Sequence, residues 1–344
     1  RYGDDIIVLG DDGRLRVLTS DQRESGGFRE APLLLDLAEL VARSSDLPSG
    51  TSLSRARRPL AVSIDGDLDG FPEILVPLMV TMQGEDPTED YVAVILNPGR
   101  DALEPDGPHV RFHKTLDDPR HLATANVNGD AWPDLLVACE GKDHPDGTER
   151  LGNRVHILFG AEGGDFLESE LVEGWSYLQG IETTESGEIE FIATDRPDGD
   201  FGDVIRFVAV CNDQKVSVYL HDPEYPEGPG GPVVPRFERP VLLHDGLDPE
   251  ILRVGRFFGG SGDLPDLAIS DEEGGEIVLM EACPGFPSSD CTMPWTRRQS
   301  LQIGGSPDGV VLLARGSERP WLVCNTRTSD ALELYEPLDD SYRQ

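Results

Sequence analysis

The chain has 344 residues, 65 acidic side chains against 29 Lys and Arg, and a formal net charge of −36. No basic stripe exists to displace counterions from a phosphate backbone, which excludes nucleic acid as a main partner. The acid is spread along the whole chain, as on a self-repelling soluble surface, and no apolar run approaches the roughly twenty residues of a membrane span.

In chain order, Asp4-Asp5 precedes the apolar run Ile6-Ile7-Val8. Strands are expected at Ile6 to Leu9 and Leu15 to Leu18, so the chain opens on the second strand of a unit. A short amphipathic helix is expected at Leu34 to Arg43. Next comes an acidic loop, Asp65-Gly66-Asp67-Leu68-Asp69-Gly70-Phe71-Pro72-Glu73, leading into Ile74-Leu75-Val76. A second copy, Asn126-Val127-Asn128-Gly129-Asp130-Ala131-Trp132-Pro133-Asp134, leads into Leu135-Leu136-Val137. Both place oxygen-bearing side chains at loop positions 1, 3, 5 and 9, a hard-ligand pattern suited to Ca²⁺.

Weaker copies follow at Asp195 to Asp203, at Phe258 to Asp266 and, stripped down, at Arg319-Pro320-Trp321. Recurrence at this spacing decides the architecture. The runs between loops are short, rich in Val, Ile and Leu, and bounded by Gly, Pro and Asp, which indicates strands. In the third unit these are Leu122 to Ala125, Leu135 to Cys139, Arg154 to Phe159 and Leu167 to Leu171. At the C-terminus they are Val310 to Ala314, Trp321 to Cys324 and Ala331 to Tyr335, with a fourth strand starting at Ser341. Four antiparallel strands repeated six times describe an all-β fold, a β-propeller of six blades, or seven in a longer chain. The repeat units fall at about residues 1–57, 58–117, 118–174, 175–245, 246–304 and 305–344 of one domain.

These loops, with the strand and Gly-rich turn Val155 to Phe166, resemble the FG-GAP and VCBS repeats found in the integrin α-subunit propeller and in bacterial secreted proteins. The resemblance spans nearly the whole chain. It implies two Ca²⁺ sites: Asp65, Asp67, Asp69 and Glu73 with the Phe71 carbonyl, and Asn126, Asn128, Asp130 and Asp134 with the Trp132 carbonyl. A third, weaker set is Asp195, Asp198, Asp200 and Asp203, where Pro197 and Gly199 stand at positions 3 and 5. The fifth loop has Phe258, Gly260 and Gly262 at positions 1, 3 and 5 and departs further from the pattern. An EF-hand is excluded because Val76 stands where its twelfth-position Glu is required and Pro72 precedes a β-branched run.

Cys283 and Cys291 flank a turn-rich connection and are expected to pair, which implies an oxidising compartment. Cys139, Cys211 and Cys324 lie in or just after second strands and are expected to be reduced and buried. No Gly-x-Ser-x-Gly elbow, His-Glu-x-x-His pair, phosphate-cradling loop or haem motif is present, so no catalytic residue is assigned. His156 lies in a strand and is expected to pack there. His109, His113 and His121 cluster in sequence without the spacing of a recognised ligand set. The reading is a non-catalytic, calcium-binding extracellular, cell-surface or periplasmic module for ligand binding, adhesion or assembly. Its protein or carbohydrate partner would sit on the face opposite the calcium loops, where the long stretches Met82 to Tyr91 and Gly141 to Asn153 lie. The alternatives are a calcium-assisted carbohydrate-active enzyme, such as a polysaccharide lyase, and a propeller lectin.

Overall fold

The structure is a computed structural model that describes residues 6–10, 13–21, 27–57, 59–62, 73–82, 89–96, 109–130, 132–140, 154–162, 165–166, 189–195, 204–212, 215–221, 237, 241–245, 248–258, 264–287, 291–313, 319–326, 332–338 and 341–343. The chain groups into two compact units, Arg1–Asn126 with Asp130–Tyr177, and Val127–Gly129 with Leu178–Gln344.

Among the described residues the first unit holds three larger sheets and one two-stranded pair. The first runs β1 (Ile6–Leu9), β2 (Arg14–Asp21), β3 (Gly27–Asp36) and has three strands among the described residues. The second has β4 (Ser52–Ala56), β6 (Glu73–Thr81), β7 (Glu89–Leu96) and β8 (His109–Lys114) in that order, while β5 (Leu60–Val62) also pairs with β6. Its first strand is thus split in two, and β4 belongs to this sheet although it precedes the unit boundary read at residue 57. The third has β9 (Pro119–Ala125), β10 (Asp134–Cys139) and β11 (Arg154–Leu158), followed by the small pair β12 (Gly160–Ala161) and β13 (Asp165–Phe166). The segment Leu167 to Leu171, read as the fourth strand, lies outside the described residues.

The second unit holds three four-stranded sheets of consecutive strands. They are β14 (Ile189–Thr194) to β17 (Val241–Asp245), through β15 (Phe207–Asn212) and β16 (Lys215–Leu220); β18 (Pro249–Gly255) to β21 (Trp295–Gln302), through β19 (Asp266–Asp271) and β20 (Glu276–Ala282); and β22 (Pro307–Leu313) to β25 (Tyr342–Arg343), through β23 (Trp321–Thr326) and β24 (Leu332–Pro337). Every pairing is antiparallel, and a succession of up-and-down sheets built from consecutive strands is the blade construction of a β-propeller.

The second strands carry the core. All six residues of β10, β15 and β19 are buried, which explains their unbroken apolar runs: a strand covered on both faces has no polar side to alternate with. The sixth sheet differs. There β23 alternates, with Leu322, Cys324 and Thr326 buried, and the other face presents Val311, Leu313 and Leu334 at about half exposure.

The expected helix starts later than its periodicity suggested. Strand β3 continues to Asp36, and α1 (Leu37–Arg43) follows at once. Asp36 is the hinge between the two, since its Oδ1 accepts the Glu39 amide at 3.1 Å and caps the helix. That bond, together with Arg14, holds the Asp36 carboxyl below its ordinary range. Leu37 and Val41 anchor the helix in the core of the first two sheets.

Candidate functional site

The recurrent loops join first to second strands, and their last residue opens the second strand. In the first loop, Asp65, Asp67, Asp69 and Phe71 lie outside the described residues, whereas Glu73 opens β6 and is completely buried. In the second loop the chain reverses at Gly129, which has φ +80°. Asn126 is buried, and its Nδ2 donates to the Asp130 carbonyl at 2.7 Å, while the Trp132 amide donates to Asp130 Oδ1 at 2.7 Å. Positions 1 and 5 are thereby drawn together on one curled turn. Asn128 is half-buried at position 3. Asp134, fully buried at position 9, accepts the Gly160 amide on Oδ1 at 2.9 Å, so it ties the second strand to the chain leaving the third. This set of side-chain oxygens, with the Trp132 carbonyl, has the donor chemistry of a hard cation site.

The fourth and fifth loops use their carboxylates differently. Asp195 accepts the Arg206 amide at 2.9 Å and pairs with Arg206 Nε at 2.6 Å, its carboxylate buried beneath the guanidinium. Asp198, Asp200 and Asp203 lie outside the described residues. Asp266, at position 9 of the fifth loop, accepts three backbone amides: Phe257 at 2.8 Å and Phe258 at 2.9 Å on Oδ2, and Ala282 at 2.9 Å on Oδ1. Phe258, where the other loops place a ligand, is buried in the core. The proline carbonyl at position 8 is also used, since Trp295 Nε1 donates to Pro265 at 2.8 Å and the Tyr342 hydroxyl donates to Pro320 at 2.9 Å. These two fourth-strand aromatics bury a ring while placing a polar tip, a recurrence that core packing alone does not indicate.

A second recurrence, missed in the sequence, lies at the opposite end of the sheets. Asp118-Pro119-Arg120 opens β9, with Glu140 just past β10; Asp248-Pro249-Glu250 opens β18, with Glu272 just past β19. The geometry repeats: the Glu140 amide donates to the Asp118 carbonyl at 3.0 Å, and the Glu272 amide to the Asp248 carbonyl at 2.8 Å. In the third sheet Arg120 pairs with Glu140 and lies 3.6 Å from Asp118, which also takes a two-pronged contact from Arg57 at 3.0 and 3.1 Å. In the fifth sheet the middle residue is acidic, and Asp248, Glu250 and Glu272 bring carboxylate oxygens within 4.8 Å of one another. The common signal was an Asp-Pro pair followed about twenty residues later by Glu, visible only once the strand register was known.

The histidines are dispersed. His113 is buried against Phe166 in an edge-to-face contact at 5.3 Å, with Nε2 3.3 Å from Asp165, and Arg111 reaches the same carboxylate at 2.8 Å. His244 is paired with Asp271 at 3.0 Å. His156, on β11, is 2 % exposed, and among the described residues neither ring nitrogen has a hydrogen-bond partner. Burial pushes its pKa down to about 4. Between the ordinary value near 6.5 and that value, the unfolded chain binds a proton that the folded chain refuses. Stability is therefore expected to fall by about 3 kcal/mol as pH drops from 6.5 to 4, and not to fall further on this account below 4. Urea titrations of wild type and His156→Leu across this range isolate the contribution, because shared carboxylate effects cancel. Parallel pH dependences in the two proteins would refute it.

Cys283 and Cys291 are joined by a disulfide across the β20–β21 connection. Cys139, Cys211 and Cys324 are free and buried, and desolvation drives the Cys139 thiol well above its ordinary pKa, which keeps it unreactive. Among the described residues no helix is long and apolar enough to cross a membrane.

No family model matches the chain, and no curated protein matches it. Among solved structures, two crystal structures of BBS1N in complex with ARL6DN, one soaked with mercury and one with lead, match at 12% and 11% identity with TM-scores of 0.47 and 0.42. Each alignment covers 96% of this chain and 86% of that chain. The all-β propeller fold rests on the strand order and register of the sheets among the described residues.

Proposed function

We propose that this chain is a non-catalytic, calcium-stabilised β-propeller of the FG-GAP or VCBS kind that serves as a binding, adhesion or assembly module outside the cytoplasm. The observation that carries the reading is the second loop. Its oxygen-bearing residues alternate on a curled turn, and a fully buried carboxylate, Asp134, stands at its end beside the strand it positions. A cation held there would pin the turn between the first two strands and offset the local negative charge. The disulfide between Cys283 and Cys291 is in keeping with an oxidising compartment. The partner would be a protein or a carbohydrate, taken on loops away from the cation turns, since a rigid sheet scaffold presents its connections for recognition.

A thermal melt of the purified protein in EDTA, titrated with calcium and with magnesium as control, tests the cation. Calcium binding the folded state alone should stabilise by about 2.7 kcal/mol at a hundredfold excess over Kd, which appears as a rise in Tm of several degrees. Replacing Asp130 or Asp134 by Ala should remove the second loop's share of that calcium-specific rise and leave the share of the first loop. A melt indifferent to calcium would show the loops to be solvated turns.

A further inference from the structure

We propose that the open face of the sixth sheet is a two-fold dimerisation surface, on which a second copy of this chain seats its own sixth sheet. The reason lies in the residue pattern of β22 to β24. A sheet with one face in water alternates apolar residues inward with polar residues outward. Here the inward set, Val310, Leu322, Cys324 and Tyr335, is buried in the core shared with the fourth and fifth sheets, and the outward set is apolar too.

The strand register makes that outward set one patch. Val311 stands opposite Val323, which stands opposite Leu334; Leu313 stands opposite Trp321, and Asn325 opposite Leu332. Val311, Leu313 and Leu334 are about half exposed and Leu332 is 75% exposed, with Trp321 and Val323 half-buried between them. Single apolar residues on a surface need no partner, but a contiguous patch marks a contact. Three strands about 4.8 Å apart, with a rise of about 3.3 Å per residue, give it a footprint of roughly 300 Å². That suits the apolar centre of an interface, the rest of about 800 Å² per partner being polar rim.

Charge decides which partner. The chain carries −36, so most of its surface repels a second copy. This face does not. Among the described residues of its strands the charges on this side are Glu336 and Arg343, joined at 3.1 Å from Arg343 Nε to Glu336 Oε1. An isologous contact needs a surface complementary to itself, and an apolar patch with one charge of each sign at its corner meets that condition. Each Glu336 can face the other copy's Arg343, so the ion pair is exchanged and not lost. The two sheets would stack about 10 Å apart with their side chains interdigitated.

Sedimentation equilibrium of the full chain between about 1 and 100 μM tests this, because an apolar centre of this size supports a Kd on the order of micromolar. Wild type is expected to pass from monomer to dimer across that range. Leu332→Glu, at the most exposed of these positions, should raise Kd by about tenfold or more and leave the melting temperature of the dilute monomer unchanged. Glu336→Arg should also weaken the dimer, and combining it with Arg343→Glu should restore it. Wild type that stays monomeric at about 100 μM would overturn the proposal, and a Leu332→Glu monomer that melts well below wild type would do so as well, by showing that the chain covers this face itself. A dimer indifferent to Leu332→Glu would place the contact elsewhere and overturn it too.

Discussion

Replacing Asp266 by Ala is expected to destabilise the protein by about 4 kcal/mol or more, because three buried backbone amides lose their acceptor and each orphaned donor costs roughly 1–3 kcal/mol. The amides of Phe257, Phe258 and Ala282 all end on this one carboxylate, at 2.8, 2.9 and 2.9 Å. Phe257 is fully buried, so water cannot readily replace the lost oxygen without opening the core. Asp266→Asn is the sharper variant. Its side-chain oxygen can still take Phe257 and Phe258, but its NH₂ would face the Ala282 amide, donor against donor. The loss should be smaller than for Ala yet larger than for an exposed substitution. Urea denaturation of the three proteins, compared by midpoint at constant m, measures the series. An Asp266→Ala protein within about 1 kcal/mol of wild type would mean that these bonds contribute little beyond those made to water.

Gly160→Ala is expected to be comparably severe for a steric reason. A Cβ on Gly160 would lie 2.2 Å from the Pro133 carbonyl oxygen and 2.8 Å from its carbon, both backbone atoms that cannot rotate aside. Relief requires moving β12 away from the second loop, which breaks the bond from the Gly160 amide to Asp134. Overpacking joined to a lost buried bond places the cost at about 3–5 kcal/mol. Gly285→Ala is the matched control. Gly285 has φ +76° with nothing within 4 Å of its added Cβ, so only the left-handed backbone opposes the change, at about 1–2 kcal/mol. Melts of the two variants that coincide would show that the contact with Pro133 yields easily and that close approach is not why a glycine stands there.

The difference between these glycines shows how far local pattern reaches. Gly285 lies in a segment rich in Gly, Pro and Ser and reads as a turn residue from its neighbours alone. Gly160 follows a strand and reads the same way, but its requirement comes from Pro133, which stands in the second loop just before β10. The strands themselves were legible: β10 was expected at Leu135 to Cys139 and runs Asp134–Cys139, and β24 was expected at Ala331 to Tyr335 and runs Leu332–Pro337. Residue type and spacing carry that information because each buried strand must be apolar along its own length. The helix at Leu34 to Arg43 was misplaced by three residues because Leu34 and Leu35 suit a strand equally well, and only the Asp36 cap separates the two states.

The recurrent acids mark the limit. Position 9 is acidic in the first, second, fourth and fifth loops, and the sequence by itself determines that recurrence, the sheet count read from it and the oxygen-rich character of the first two loops. The sequence does not determine what each acid holds. Asp134 holds Gly160, Asp266 holds three amides, and at position 1 of the fourth loop Asp195, directly after β14, holds Arg206. The same is true of the triangle at the other end of the sheets, where Arg120 pairs with Glu140 in the third sheet and its counterpart in the fifth is Glu250, gathered with Asp248 and Glu272. Strand formation depends on near neighbours along the chain, so composition reveals it. A hydrogen-bond partner 16 residues away, as Ala282 is from Asp266, is chosen by the packing of whole sheets, and only the tertiary structure decided it.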